Sequence, residues 1–346
     1  MLSTQYYIIF TFLLACIFFV SPKKQSLPVK HGWFYLILIL IVTFRSPTMA
    51  DYEQYEEAFA SKGELRFEPA FFVVRVIVAS LGNYIYGFLF FGIISIWVKY
   101  YVISKYRDLF WAATLVYLSN VLIVQDMVAI RAGVAGSLLL VAAFYRVEEH
   151  KKKMLLFVLI AIMFHYTAAI FLVMYFMSSE KPYRKWYLGV IAISYLMAMN
   201  RIYLTQFLGF LPFIGQDIAL FDKYVSEMDY QLTPMNIFNL LQMGHLLICV
   251  TFWLFINKIS SHYRSALILL KIYTLGVCAV CWFAQSFVMA IRLSEIFFVV
   301  EILLIPMGFS AMFKKTFHYK LILVVYAAVI LIIRMTDYMY WDQTRL

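Results

Sequence analysis

The chain has 346 residues, of which 64% are hydrophobic and only 14% are charged, and its formal net charge is +10. A soluble globular domain carries about 25% charged residues, so this composition excludes a water-exposed globular fold. Such a net charge on a soluble protein would suggest a nucleic-acid partner. Here the basic residues lie in short stretches between apolar runs, a pattern that sets membrane topology. We therefore expect an integral membrane protein that binds no nucleic acid.

The apolar runs predict the secondary structure. A membrane-spanning helix needs about 20 predominantly apolar residues, and its backbone polar groups must be paired within the segment. We predict an all-α polytopic membrane protein, with about ten transmembrane helices in one integral membrane domain that covers residues 1–346. The predicted spans are 6–21, 31–44, 84–103, 109–125, 126–147, 186–199, 236–257, 265–290, 293–312 and 319–335.

Two further segments do not fit a simple span. Residues 68–81 are amphipathic and end at Gly82, so we predict a helix that lies along the membrane interface. Residues 154–177 are predicted to form a short membrane hairpin of two arms, 154–164 and 166–177, that turns at His165. A hairpin places Lys151–Lys153 on the same side as Lys181, Arg184 and Lys185, as the positive-inside rule favours. The same sorting counts Lys99 among the cytoplasmic cations.

The charge distribution assigns two long segments, 45–83 and 200–235, to the extracytoplasmic side. Long loops on a rigid helical scaffold commonly carry function. We therefore expect the chemistry of this chain on the outer face of the membrane.

Several arginines lie within or beside predicted spans, where a charge is costly and indicates function. Arg131 lies about one turn into its helix and is followed by small residues, and Arg292 lies at the predicted junction of two spans. A guanidinium presents a planar fork that suits phosphate oxygens. Arg131 and Arg292 are thus candidates for binding a lipid-linked diphosphate. The alternative is that they reach lipid headgroups or pair with Asp126 or Glu295.

Two acidic residues and one histidine are further candidates. A partly desolvated Asp51 carboxylate could act as a general base toward a sugar hydroxyl, although a solvated acidic loop is the simpler interpretation. Glu68 could serve the site or simply begin the interfacial helix. His165 could contact phosphate or sugar, or it could satisfy backbone carbonyls at the turn.

The sequence contains no recognisable motif for a nucleotide, a metal or a serine nucleophile. The four cysteines all lie in apolar segments and are interpreted as packing residues. We expect no cofactor and no metal site. Among the abundant aromatic residues, Tyr52, Tyr55 and Tyr166 are candidates for stacking on sugar rings.

Three groups of residues together resemble the EpsG family over roughly residues 40–310. They are Arg45, Asp51, Tyr52, Tyr55, Phe59 and Glu68-Pro69; Ile130-Arg131, Lys151–Lys153 and Phe164-His165; and Ile291-Arg292 with Pro306.

The resemblance implies a GT-C-like fold and a Wzy-type polymerase of O-antigen, capsule or exopolysaccharide. Such an enzyme joins undecaprenyl-diphosphate-linked glycans at the outer face of the bacterial inner membrane. Its expected partners are these glycans, the lipid bilayer, and a chain-length regulator and flippase of the same pathway.

The roles implied for individual residues follow from that reaction. Asp51 would deprotonate the acceptor, His165 would orient the phosphate or the acceptor, and Arg131 and Arg292 would stabilise the diphosphate. Weaker substrate-binding roles fall to a further set: Arg45, Tyr52, Tyr55, Glu68, Tyr166 and Glu295.

Three alternatives stay open at this stage. The chain could be a transferase that adds one sugar from a polyprenyl-phosphate donor, a flippase or other transporter of lipid-linked oligosaccharides, or a scaffold without catalysis. A transporter would place charged residues throughout the bilayer depth and would favour internal repeats.

Overall fold

A computed structural model describes residues 11–12, 14–19, 32–47, 49, 51–60, 68–204, 206 and 234–343. All regular secondary structure in these residues is helical. The α-helices are α1 (Gly32–Thr43), α2 (Tyr52–Ala60), α3 (Pro69–Leu81), α4 (Ile85–Ser104), α5 (Phe110–Val116), α6 (Ile130–Val147), α7 (Lys151–Phe164), α8 (Arg184–Met199), α9 (Leu240–His262), α10 (Ala266–Trp282), α11 (Phe287–Phe298), α12 (Glu301–Met312) and α13 (Thr316–Gln343). A π-helix (Tyr117–Val128) continues α5, and 3₁₀ segments cover Arg107–Leu109 and Tyr166–Tyr175.

Five helices in the described part of the chain are long and apolar enough to cross a membrane. They are Ile85–Ser104, Arg107–Val128, Ile130–Val147, Leu240–His262 and Thr316–Thr336. Each corresponds to one predicted span, so the chain is a membrane protein whose described part is all-helical. Other apolar helices are shorter, such as α1 with 12 residues and α10 with 17. The predicted span 6–21 lies mostly outside the described residues, and the total of about ten spans stays a prediction.

The predicted hairpin of residues 154–177 is confirmed as two helical arms that turn at His165, while its location in the membrane stays a prediction. At its open end, Ser179 Oγ donates to Glu149 Oε1 at 3.3 Å and Arg146 Nε donates to the Met174 carbonyl at 3.0 Å. The first arm has 14 residues of α-helix and the second has 10 residues of 3₁₀-helix. At rises of about 1.5 and 2.0 Å per residue, both arms are about 20 Å long. His165 therefore forms the tip, opposite the basic residues around the open end.

The predicted boundary between spans at residues 290–293 is wrong. Residues 291 and 292 lie inside α11, which begins after Ser286, whose side chain accepts a hydrogen bond from the Met289 N–H. Such a side-chain cap starts a helix without any change in hydropathy. The apolar run contains no other indication that a helix begins at Ser286. Because α11 spans this region, Arg292 is a mid-helix residue rather than a junction residue.

The assignment of Lys99 to the cytoplasmic cations is also wrong. Its side chain is completely buried within the bundle and pairs with the equally buried Asp126. A buried charge requires such a partner, and only the packing of α4 against the π-helix brings these two residues together. Sequence spacing could not reveal this pair.

Candidate functional site

The Glu68 carboxylate joins three segments that are distant in the chain. Its Oε2 atom accepts a short hydrogen bond from Arg131 Nη1, and its Oε1 atom lies 3.1 Å from His165 Nδ1. Arg131 Nε also donates to the Tyr55 hydroxyl at 3.4 Å. We call Tyr55, Glu68, Arg131 and His165 the Glu68 cluster. A carboxylate, a guanidinium, an imidazole and a phenol thus share one place.

Local structure explains how each member reaches the cluster. Glu68 precedes Pro69, the first residue of α3, and its side chain does not cap that helix, which leaves the carboxylate available to other segments. Arg131 is the second residue of α6, and His165 has the extended backbone that turns the hairpin. Tyr55 lies on the buried face of α2.

The cluster is largely but not completely enclosed. The Glu68 side chain is 6% exposed, whereas those of Arg131 and His165 are 24% and 18% exposed. The rings of Tyr55 and Phe71 flank the Arg131 guanidinium, with centroids 5.8 and 5.6 Å from Cζ. The apolar surroundings strengthen electrostatic interactions, and the remaining exposure lets an anionic ligand approach the cation.

The charges of the cluster fix the ionisation of Glu68. Burial raises the pKa of this carboxyl, but the hydrogen bond with His165 and the positive charge of Arg131 outweigh burial and lower the pKa to about 2. A base that acts near neutral pH needs a pKa close to that pH. Glu68 therefore stays ionised, and its role is to hold and orient its two partners.

The low pKa of Glu68 predicts how the stability of the protein depends on pH. Because the folded-state pKa lies below the ordinary value of 4.5, ionised Glu68 stabilises the fold above that pH and loses this effect as pH falls toward 2. The shift corresponds to at most about 3 kcal/mol. Thermal unfolding of the detergent-solubilised protein should show Glu68→Gln less stable than the wild type at pH 7. The difference should shrink from about pH 4.5 downward and vanish only near pH 2, and a constant difference would contradict this assignment.

Asp51 and Arg45 lie near the cluster but do not pair with Glu68. Asp51 precedes α2 with φ +62°, a left-handed conformation that aspartate tolerates, and is half-buried. Burial raises the pKa of Tyr55, and the charges of Arg131, Asp51 and Arg45 all act on that hydroxyl. Arg45 is only 3% exposed, with Nη1 donating to the Asp126 carbonyl at 3.1 Å and Cζ 3.9 Å from the Phe88 ring centroid.

The other tyrosines predicted to contact sugars differ in exposure. Tyr52 is buried, and its hydroxyl donates to the Tyr84 hydroxyl at 3.4 Å. Tyr166 is 58% exposed and directly follows His165. Of the three predicted sugar-stacking residues, Tyr166 presents the most open ring, while Tyr52 and Tyr55 lie on the buried face of α2.

Arg292 and Glu295 lie on α11 rather than in the Glu68 cluster. Arg292 is exposed and makes no hydrogen bond or ion pair within the described part of the chain. Glu295 Oε1 accepts a short hydrogen bond from Arg334, and its carbonyl accepts from Gln125 Nε2 at 2.9 Å. Gln125 precedes Arg131 by six residues, so this bond ties α11 to the chain segment that leads into α6.

A second polar network escaped the sequence analysis. Glu301 is fully buried on α12, with Oε1 at 2.8 Å from His245 Nδ1 and Oε2 accepting from Asn120 Nδ2 at 2.7 Å. Arg334 Nε donates to the Asn120 side chain at 2.7 Å and joins this network to Glu295. The position of the Glu301 carboxylate within an apolar run was the one indication of this network in the sequence. Its partners could not be identified from the sequence, because they come from distant helices. Because its charged members are enclosed, we interpret this network as structural.

Comparison with known proteins supports the resemblance seen in the sequence. A family model described as the EpsG family matches residues 32–344, a range that contains the whole Glu68 cluster. No curated protein and no solved structure gives a significant match. Because the match covers well over half of its length, the chain belongs to the EpsG family.

Proposed function

We propose that this chain is a glycosyltransferase that polymerises undecaprenyl-diphosphate-linked repeat units at the extracytoplasmic face of the bacterial inner membrane. Membership of the EpsG family supports an exopolysaccharide-related role. The observation that carries the proposal is the Glu68 carboxylate bridging Arg131 and His165, because it combines a partly exposed cation with an oriented imidazole. Sugar transfer from a diphosphate needs stabilisation of the leaving group and a base for the acceptor proton, and these two groups could supply both.

The depth of the site suits such a substrate. The hairpin arms are about 20 Å long, and the hydrocarbon core of a bilayer is about 30 Å thick. If the basic open end of the hairpin lies at the cytoplasmic surface, His165 lies at its tip in the outer leaflet. The diphosphate of a lipid-linked glycan lies at the headgroup level of that leaflet, about 10 Å beyond the tip, and would reach the cluster from that side.

In the proposed reaction an acceptor hydroxyl attacks the anomeric carbon of the donor sugar. A bond forms between the acceptor oxygen and this carbon, and the bond from the carbon to the diphosphate oxygen breaks. The electron pair leaves with the lipid diphosphate. Arg131 stabilises the charge that develops on this leaving group, a contribution that is usually the largest in such reactions. Arg292 is proposed as a second guanidinium for the same phosphates, reached from α11.

The acceptor proton needs a base, and His165 is the candidate that the geometry supports best. A carboxylate at Nδ1 favours the tautomer with the proton on that nitrogen, which leaves Nε2 as the acceptor for a proton. The proton removed from the acceptor would then pass from the imidazolium to the departing diphosphate or to water. Asp51 is a second candidate base, since it lies near Tyr55 and is half-buried.

The interior charges give no support to a transport function. Lys99, Asp126 and Glu301 each have completely buried side chains with ionic partners. Residues that guide a transported substrate line a water-filled cavity. Lys99, Asp126 and Glu301 instead fix helices to one another, so we retain the polymerase as the function.

Gene deletion followed by electrophoresis of the surface glycan tests this proposal. Loss of the polymerase should leave glycan of a single repeat unit and remove the ladder of longer products, and the wild-type gene should restore the ladder. A shortened repeat unit would instead indicate a transferase of single sugars. Loss of even the single unit from the surface would indicate a transporter, and either result would reject the polymerase.

A further inference from the structure

A buried ion pair lies immediately behind the segment that carries Arg131. Lys99 Nζ is 2.8 Å from Asp126 Oδ1 and 3.1 Å from Oδ2, and both side chains are completely buried. The Tyr117 hydroxyl donates to Asp126 Oδ2 at 2.6 Å, and Ser95 Oγ donates a short hydrogen bond to Oδ1. The Asp126 carboxylate is thus held from α4 and from the π-helix simultaneously.

This ion pair also holds the backbone on both sides of Arg131. Asp126 lies five residues before Arg131, and Lys99 Nζ donates to the carbonyl of Gly133, two residues after it, at 3.0 Å. The Asp126 carbonyl accepts from Arg45 Nη1 at 3.1 Å. Lys99 therefore closes the turn at Ala129 between the π-helix and α6, and Arg131 lies directly after that turn, in the first turn of α6.

The end of the π-helix and the start of α6 pack too closely to admit a side chain at Gly133. A Cβ atom on Gly133 would lie 2.6 Å from Asp126 Oδ1 and 2.6 Å from the Gln125 carbonyl oxygen. Only glycine allows the start of α6 to approach the end of the π-helix this closely. The position of the Arg131 backbone is accordingly set by the ion pair and not by α6 alone.

We propose that Lys99 and Asp126 are positioning residues that set the location of Arg131 relative to Glu68 and to the bound diphosphate. This inference rests on the proposed function, because it requires Arg131 to contact the substrate. A buried ion pair is weak evidence for stability, since apolar side chains of similar volume often replace such a pair without loss. An account based on geometry is stronger here, since a displacement of about 1 Å at a reacting group can lower the rate by about 10²-fold.

The test uses paired substitution in the full-length protein. Each single substitution should lower the amount of protein in the membrane. Lys99→Met leaves the buried Asp126 carboxylate without its cation, and Asp126→Asn leaves the buried lysine without its carboxylate. The double variant Lys99→Met/Asp126→Asn contains neither charge and should accumulate normally. We expect it to polymerise about 10²-fold more slowly in membranes of a deletion strain, which supply the native lipid-linked repeat unit.

A matched control removes a buried hydrogen bond elsewhere. Thr274 accepts from Trp253 Nε1 at 2.8 Å within the α9–α10 pair, and Thr274→Val should polymerise normally at equal protein level. Tyr117→Phe provides a milder variant, because it removes one hydrogen bond to Asp126 and keeps the ring. It should slow polymerisation several-fold even if the double variant accumulates poorly.

Combination with Arg131→Lys separates positioning from general stability. If the ion pair acts through Arg131, adding the double substitution to Arg131→Lys should cause little further loss, whereas independent effects would multiply. Full activity of both the double variant and Tyr117→Phe would overturn the positioning role and leave the proposed function intact. Effects that multiply would also overturn the positioning role. Normal polymerisation by Arg131→Ala would overturn the positioning role and would in addition remove Arg131 from the proposed mechanism.

Discussion

Arg131→Ala should abolish the long glycan ladder while the protein remains in the membrane. Arg131 is the cation of the Glu68 cluster that keeps partial exposure within apolar surroundings, where a charge stabilises a leaving diphosphate most effectively. Loss of one such donor costs about 10²–10³ in rate. Arg131→Lys should recover only part of the activity, because an ammonium lacks the planar fork that contacts Glu68 and two phosphate oxygens together.

Complementation of a deletion strain, with quantification of ladder and protein, measures the effect of Arg131→Ala. Arg264 offers a matched control, since it is 66% exposed and pairs with Glu149 at the open end of the hairpin, far from the tip. Arg264→Ala should leave the ladder unchanged. A normal ladder from Arg131→Ala at wild-type protein level would exclude a role for this guanidinium.

Glu68→Gln should inactivate the protein without unfolding it. Glutamine keeps the shape of the side chain and can still accept from Arg131, but its amide nitrogen would donate to His165 Nδ1. That contact would move the imidazole proton to Nε2, and His165 could no longer accept a proton from the acceptor hydroxyl. The equivalent change of tautomer in a serine-protease triad lowers the rate by about 10⁴-fold. We expect a loss of at least about 10²-fold here.

Glu68→Ala should have a second effect beyond catalysis. It would leave Arg131 and His165 without their shared carboxylate, and removing one partner of a buried ion pair destabilises by about 3–5 kcal/mol. The expected combination is a lower protein level for Glu68→Ala than for Glu68→Gln, with little or no polymer per unit of protein from either variant. His165→Ala should match Glu68→Gln in activity.

Asp51→Asn tells the two candidate bases apart. If His165 is the base, this variant should retain more activity than Glu68→Gln. A full loss with Asp51→Asn, together with normal polymerisation by Glu68→Gln, would assign the base to Asp51 instead. That outcome would leave the phosphate role of Arg131 unaffected.

Local features of the sequence were sufficient to predict the hairpin and the position of Arg131. The charge sorting around Lys151–Lys153 required both arms to begin and end on one side, and this placed His165 at a tip. The apolar run after Arg131 predicted that this residue lies near the beginning of a helix, although α6 begins at Ile130 and not at residue 126 as predicted. These features depend on neighbouring residues, which a single sequence displays directly.

The partners of these residues could not be predicted, because they depend on how helices pack. Glu68 had an ordinary local explanation as the residue before Pro69, and nothing nearby indicated Arg131 or His165. Lys99 looked like a cytoplasmic anchor because its partner Asp126 lies on another helix. Arg292 was misplaced because a capping serine, not hydropathy, starts α11.

Purified protein in lipid vesicles, supplied with a synthetic undecaprenyl-diphosphate-linked repeat unit, provides the most direct measurement of the central claim. The account predicts longer glycans and free undecaprenyl diphosphate without added nucleotide, with both products lost for Arg131→Ala and for Glu68→Gln. Polymer formed equally well by these two variants would contradict it, because sugar transfer would then take place away from the Glu68 cluster.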